Sequence, residues 1–152
     1  TELIQQTGIT YTSLNELCKN SDVVSLHCPL TNVTHHLFNK HLFCEMKKGV
    51  IFINTARGGI VNTVDLIDAI ESGIVAVAGL DVYENEKPIY FKNHLHRPIQ
   101  DVVFEKLRLL PNVLITGHQA FLTNEALSSI AETTIKNLSE FSEKGNSQND
   151  LN

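Results

Sequence analysis

Residues 50–59 read VIFINTARGG: an apolar run, then Asn54, a Thr-Ala pair, Arg57 and two glycines. A run this short, rich in β-branched residues and apolar at every position, reads as a strand buried on both faces, as in the middle of a parallel sheet. Arg57 at its exit admits three readings. It binds a phosphate, binds a carboxylate, or marks where the chain reaches water.

Three further runs share the pattern: DVVSLHCP from Asp22, IVAVAGLDV from Ile74 and NVLITGH from Asn112. A fifth, ITYT from Ile9, alternates and reads as an edge strand. Helical patterns lie between them. Ser13 caps LNELCKN, with Glu16 completing a capping box. NKHLFCEMKKG ends in two lysines and a glycine, as a helix C-terminus does. TVDLIDAIESG opens on a Thr cap and closes on Gly73, and a last helix runs from about Thr123 to Lys144. Strands alternating with helices predict an α/β fold with a parallel sheet covered on both sides. Residues 84–100 break the rhythm with a long connection, the kind that carries function in compact domains.

The bulk properties exclude several classes. The 152 residues suffice for one domain with a real core, and a net charge of −5 offers no basic face for nucleic acid or an anionic membrane. No apolar run approaches the roughly 20 residues needed to span a bilayer. Cys18, Cys28 and Cys44 are odd in number and irregularly spaced, which fits a reducing, cytoplasmic setting. The chain starts at Thr1 and its methionine is Met46, so it reads as a piece of a longer protein.

In open α/β sheets ligands bind beyond the carboxyl ends of the strands. The four apolar runs end at His27, at Arg57, at Asp81 followed by Glu84 and Glu86, and at His118. An arginine, two or three carboxylates and one or two histidines therefore converge on one edge. Each also has a plain reading: a strand exit for Arg57, a satisfied strand-end residue for His118, backbone bonding for His27, and a solvated loop for the glutamates. Together they suit a substrate that is both a carboxylate and a carbonyl or alcohol. Arginine matches the carboxylate with two parallel bonds, and a histidine beside an acid moves a proton near neutral pH. Hydride transfer to a 2-oxo acid fits, given a nicotinamide in the crevice. His35, His36, His41, His94 and His96 lack a Cys or carboxylate at zinc-ligand spacing, so no metal is expected. No G-x-G-x-x-G occurs, and no signature pairs a cysteine with a histidine for thiol catalysis.

SDVVSLHCPLT, INTARGGIV, GLDVYENE and NVLITGHQAFLTNEAL, taken in order, resemble the D-isomer-specific 2-hydroxyacid dehydrogenases. The 84–107 stretch and GHQAFLT resemble the fermentative, NAD-dependent D-lactate dehydrogenase branch. The resemblance implies a Rossmann-like nucleotide-binding domain, here a partial doubly wound sheet lacking its first strands. It implies that Arg57 holds the substrate carboxylate, that His118 protonates the carbonyl oxygen, and that Glu86 holds His118 charged and oriented. It implies NAD contacts at Cys28, Pro29, Thr34, Thr55, Ala56, Arg57 and Asp81. Thr34 stands where the family usually has asparagine. Residues 1–120 would be the C-terminal portion of the NAD-binding domain, and residues 121–152 a helix and tail returning to a substrate domain outside this chain. The implied reaction is reduction of pyruvate to D-lactate by an enzyme that is a homo-oligomer when intact, with the present piece inactive alone. Two rival readings are a nucleotide-sensing, corepressor-like member of the fold and an inactive truncated product.

Overall fold

The computed structural model describes residues 6–95 and 98–150. They fall into two compact units, one ending at His118 and the other beginning at Gln119. The first contains α1 (Leu14–Asn20), β1 (Val23–Leu26), α2 (Lys40–Cys44), β2 (Val50–Asn54), a 3-10 turn (Gly58–Ile60) and α3 (Thr63–Glu71). It continues with β3 (Val75–Leu80), α4 (Lys87–Tyr90), α5 (Val102–Arg108) and β4 (Val113–Ile115). The second contains α6 (Asn124–Lys144).

The strands form one parallel sheet in the order β1-β2-β3-β4. Leu26 pairs with Asn54, Asn54 with Leu80, and Leu80 with Ile115, so all four carboxyl ends lie in one row. Phe52, fully buried in β2, anchors the core; its ring meets Phe38 at 5.2 Å and Phe43 at 5.4 Å between centroids. Aromatic contacts of this kind add about 0.5–1.5 kcal/mol beyond the area they bury. Cys18 of α1, Leu42 and Phe43 of α2, Leu66 and Ile70 of α3, and Phe104 and Leu107 of α5 complete the same cluster.

The expectation of a sheet covered on both sides does not hold within these residues. Val23, Ile51, Val77 and Leu114, on the opposite face, are exposed. The cause is topological. Parallel crossovers share one hand, so strands laid down in sequential order put every connecting helix on the same face. A doubly wound sheet needs the strand order to reverse, and the described strands form one wind of it. Apolar residues on both faces record that the second face is meant to be covered, but not by what.

Other departures are local. ITYT forms no strand: Ile9 and Tyr11 are exposed, and β1 has no partner on its outer edge among the described residues. The helix expected to run to Lys47-Lys48 stops at Cys44, and Lys47 lies beyond it, paired with Asp22. Helix α3 is capped by Asn62 rather than Thr63; Asn62 Oδ1 accepts the Asp65 N–H at 3.1 Å. Gly73 closes it with φ 73°, as expected of a C-terminal glycine. At α1, Ser13 accepts the Glu16 N–H, but the Glu16 carboxylate is taken by Asn20, so only half of the capping box forms. Helix α5 was not singled out from the sequence; Asp101 caps it by accepting from the N–H groups of Val103 and Phe104.

In the second unit, Thr123 caps α6 and Gly145 ends it. Leu127, Ile130, Ile135, Leu138 and Phe141 are exposed along the helix. Among the described residues no helix is long and apolar enough to cross a membrane.

Candidate active site

Three segments leave the row of strand ends and meet. The first follows β2. Asn54, 1% exposed at the strand end, accepts the Ala56 N–H on Oδ1 (3.0 Å) and donates from Nδ2 to the Arg57 carbonyl (3.1 Å). A buried amide must find partners, and these two bonds fold the chain into a tight turn that brings out Arg57. Arg57 is exposed, and its Nη1 donates to the Ala56 carbonyl at 2.6 Å. The remaining guanidinium donors are available for an anion.

Gly58 has a different role from the flexible turn its sequence suggests. Its φ is not in the left-handed region. A Cβ there would lie 2.0 Å from the Tyr83 carbonyl carbon and 2.3 Å from the Glu84 nitrogen. Glycine is required so that two backbones touch. Gly58→Ala is therefore expected to destabilise the protein by about 3 kcal/mol, the upper end of overpacking penalties. Denaturant titration of the purified variant measures this.

The second segment follows β3. Asp81 is buried, accepts from the Thr116 hydroxyl, and its carbonyl receives the His118 N–H at 2.7 Å. Tyr83 packs its ring on Phe104 and donates its hydroxyl to Asp101 at 3.0 Å. Burial first, and then the Asp101 carboxylate, push the Tyr83 phenol well up from its ordinary range. Asn85 also donates to Asp101 at 3.2 Å, so the loop is moored to the start of α5. The Tyr83 N–H in turn donates to Glu86 Oε2 at 3.1 Å, aiming that carboxylate. Tyr90 lies nearby; burial, then the charges of Glu86 and Asp81, push its phenol up to about 12.

The third segment follows β4. His118 sits at φ 55°, a left-handed conformation uncommon for a non-glycine residue. Two contacts hold it: its N–H is bound to Asp81 and its Nδ1 lies 2.9 Å from Glu86 Oε1. The two side chains are 29% and 18% exposed. With Nδ1 engaged, Nε2 is the ring nitrogen left to meet a substrate.

Arg57, Glu86 and His118 line one crevice of about 470 Å³, with Leu30, Gly58, Tyr83 and Glu84. A second crevice of about 620 Å³ adjoins it through Leu30 and Arg57, and is lined also by His27, Cys28, Pro29, Thr55 and Ala56. The expected catalytic trio is thus brought together, and Cys28, Pro29, Thr55, Ala56 and Arg57 share one shelf. Thr34 and Asp81 line neither crevice. Thr34 bonds within its own turn, to the Pro29 carbonyl at 2.7 Å and the Thr31 N–H at 2.8 Å. The His27 ring meets the Ser25 hydroxyl at 2.9 Å and lines the second crevice, not the first. Among the described residues no cluster of His, Cys, Asp and Glu could hold a metal.

Sequence reasoning missed Asn54, Phe91 and Asp101. Phe91 stands beside the His118 ring, 6.2 Å between centroids. A polar residue closing the apolar run VIFIN was a signal for Asn54, since a buried amide seldom goes unused. Phe91 carried no signal within an irregular loop.

Comparison with known proteins places the chain in a family. Residues 1–120 match the model of the D-isomer specific 2-hydroxyacid dehydrogenase, NAD binding domain. The 2-hydroxyacid dehydrogenase homolog 1 of Schizosaccharomyces pombe is 46% identical over 143 residues, covering 94% of this chain and 43% of that protein. The D-lactate dehydrogenase of Escherichia coli is 48% identical over 138 residues, covering 91% of this chain and 42% of that one. The crystal structure of the Aquifex aeolicus D-lactate dehydrogenase, complexed with NAD and lactic acid, superposes with a TM-score of 0.84 at 38% identity. That match covers 100% of this chain and 48% of the other. The chain spans less than half the length of these relatives. Matched through its sheet and through all three segments of the crevice, the chain belongs to the D-isomer-specific 2-hydroxyacid dehydrogenase family, its residues 1–120 matching that family's NAD-binding domain.

Proposed function

We propose that the full-length protein reduces a small 2-oxo acid, pyruvate in the first instance, to the corresponding D-2-hydroxy acid using NADH. The observation that carries this reading is the Glu86–His118 pair sharing one crevice with Arg57. The dinucleotide fits the adjoining shelf. Its lining mixes apolar Pro29, Leu30 and Ala56 with polar His27, Thr55 and Arg57, it lies at the carboxyl ends of β1 and β2, and Arg57 joins it to the trio. Cys28, Pro29, Thr55 and Ala56 would hold the cofactor, which supplies a hydride when bound.

The side chains of this chain then divide the remaining work. Arg57 pairs its planar fork with the substrate carboxylate and so fixes the oxo group beside the imidazole. His118 donates the Nε2 proton to the oxo oxygen as that oxygen gains negative charge. Glu86 fixes the orientation of the ring through Nδ1, leaving Nε2 turned to the substrate. Each reduction consumes one proton, and His118 recovers it from solvent.

The test is turnover by the purified full-length protein with pyruvate and a series of larger 2-oxo acids. It is followed by NADH absorbance, with chiral analysis of the product. Stoichiometric NADH loss with the D-product is expected. Absence of turnover across the series, or an L-product, overturns the proposal.

A further inference from the structure

The acid loop carries two glutamates two residues apart, and they face different partners. Glu86 meets His118. Glu84 Oε1 accepts the N–H of Thr63 at 3.1 Å, and Glu84 Oε2 lies 2.8 Å from His36 Nε2. Thr63 is the first residue of α3, where a helix leaves N–H groups without internal partners. His36 is itself held. Its N–H donates to the Gly59 carbonyl at 2.9 Å, its carbonyl accepts from Asn39 Nδ2 at 3.1 Å, and its ring stacks on His35 at 4.0 Å. Its φ is 49°.

Both partners of Glu84 belong to the framework of Arg57. Thr63 starts the helix that follows the 3-10 turn opened by Arg57, after Val61 and Asn62, and His36 is bonded to that same turn. The arginine segment and the acid loop meet by backbone contact at Gly58 and by hydrogen bonds through Glu84. We infer that Glu84 is a positioning residue: it ties the segment bearing Arg57 to the loop bearing Glu86, and so sets the spacing between the carboxylate-binding arginine and the Glu86–His118 pair. A 2-oxo acid must reach both at once. Misplacing them by about 1 Å is enough to cost on the order of 10²-fold in rate. The inference rests on the function proposed above.

The experiment uses the full-length protein with Glu84→Ala, Glu84→Gln and Glu84→Asp. Oxamate, a non-reducible isostere of pyruvate, is titrated into the NADH complex by calorimetry. NADH affinity, melting temperature, and KM and kcat for pyruvate are measured alongside. Glu84→Ala is expected to weaken oxamate and raise the pyruvate KM by about tenfold or more, and to lower kcat/KM by about 10²-fold, with NADH affinity unchanged. Glu84→Gln keeps an acceptor for Thr63 and a polar group for His36, and should recover most of the loss. Wild-type oxamate affinity and KM in Glu84→Ala, even with a lowered melting temperature, would overturn the inference. If Glu84→Ala does not fold, Glu84→Asp decides: one methylene shorter, it cannot span both partners, and wild-type oxamate affinity there overturns the tether. Wild-type turnover is a separate control. Its absence overturns the functional proposal, whereas the oxamate series judges the tether on binding alone.

Discussion

His118→Asn is expected to lower kcat for 2-oxo acid reduction by about 10²–10⁴-fold, the range supplied by a positioned general acid. Asparagine is the informative replacement because of the backbone. His118 sits at φ 55°, and asparagine enters the left-handed region more readily than most residues. The N–H bond to Asp81 is a main-chain bond, so it survives the substitution. Loss of activity can then be separated from loss of fold. What disappears is a proton donor on the far side of a ring that Glu86 holds through Nδ1. NADH affinity should hold, since His118 does not line the shelf at Cys28, Pro29, Thr55 and Ala56. Steady-state kinetics with pyruvate, a melting curve and an NADH titration check the three parts. A variant that keeps wild-type kcat removes His118 from the chemistry.

The meeting of Arg57, Glu86 and His118 in one crevice was legible in the sequence because the fold makes it so. Once four buried strands are read as parallel, their carboxyl ends must share an edge, and the residues just beyond them must meet. The structure adds what periodicity does not encode. Glu84 and Glu86 have the same chemistry and nearly the same position. Both line the crevice, and only their partners tell them apart: the start of α3 and His36 for one, His118 for the other. Gly58 and Gly59 read as a flexible turn at the strand exit, whereas the lack of a Cβ at Gly58 admits the backbone of another loop. That requirement comes from residues 25 positions away, and no local pattern reports it. The open sheet face escaped for a similar reason. A strand apolar on both sides reads alike whether the described chain covers one face or two.

Arg57→Gln is expected to lower kcat/KM for pyruvate by about 10²–10⁴-fold. Two hydrogen bonds from a charged donor are worth about 1.5–3 kcal/mol each, and each 1.36 kcal/mol is a decade. The loss should appear in oxamate affinity as well as in rate, because the substrate carboxylate is charged in both ground and transition states. Fold stability should change little. The guanidinium is exposed, and its bond here goes to the neighbouring Ala56 carbonyl. The turn itself is held by Asn54, through main-chain groups that glutamine leaves in place. Arg57→Lys sharpens the result. Lysine restores the charge but not the planar fork, so it should recover part of the binding and less of the rate. Were lysine to restore both fully, charge alone would account for Arg57. If glutamine restored both, the substrate carboxylate would have to be held elsewhere in the crevice. Between those outcomes lies the geometric reading: Asn54 and Gly58 fix the backbone of one arginine so that two parallel donors, rather than a charge, meet the carboxylate.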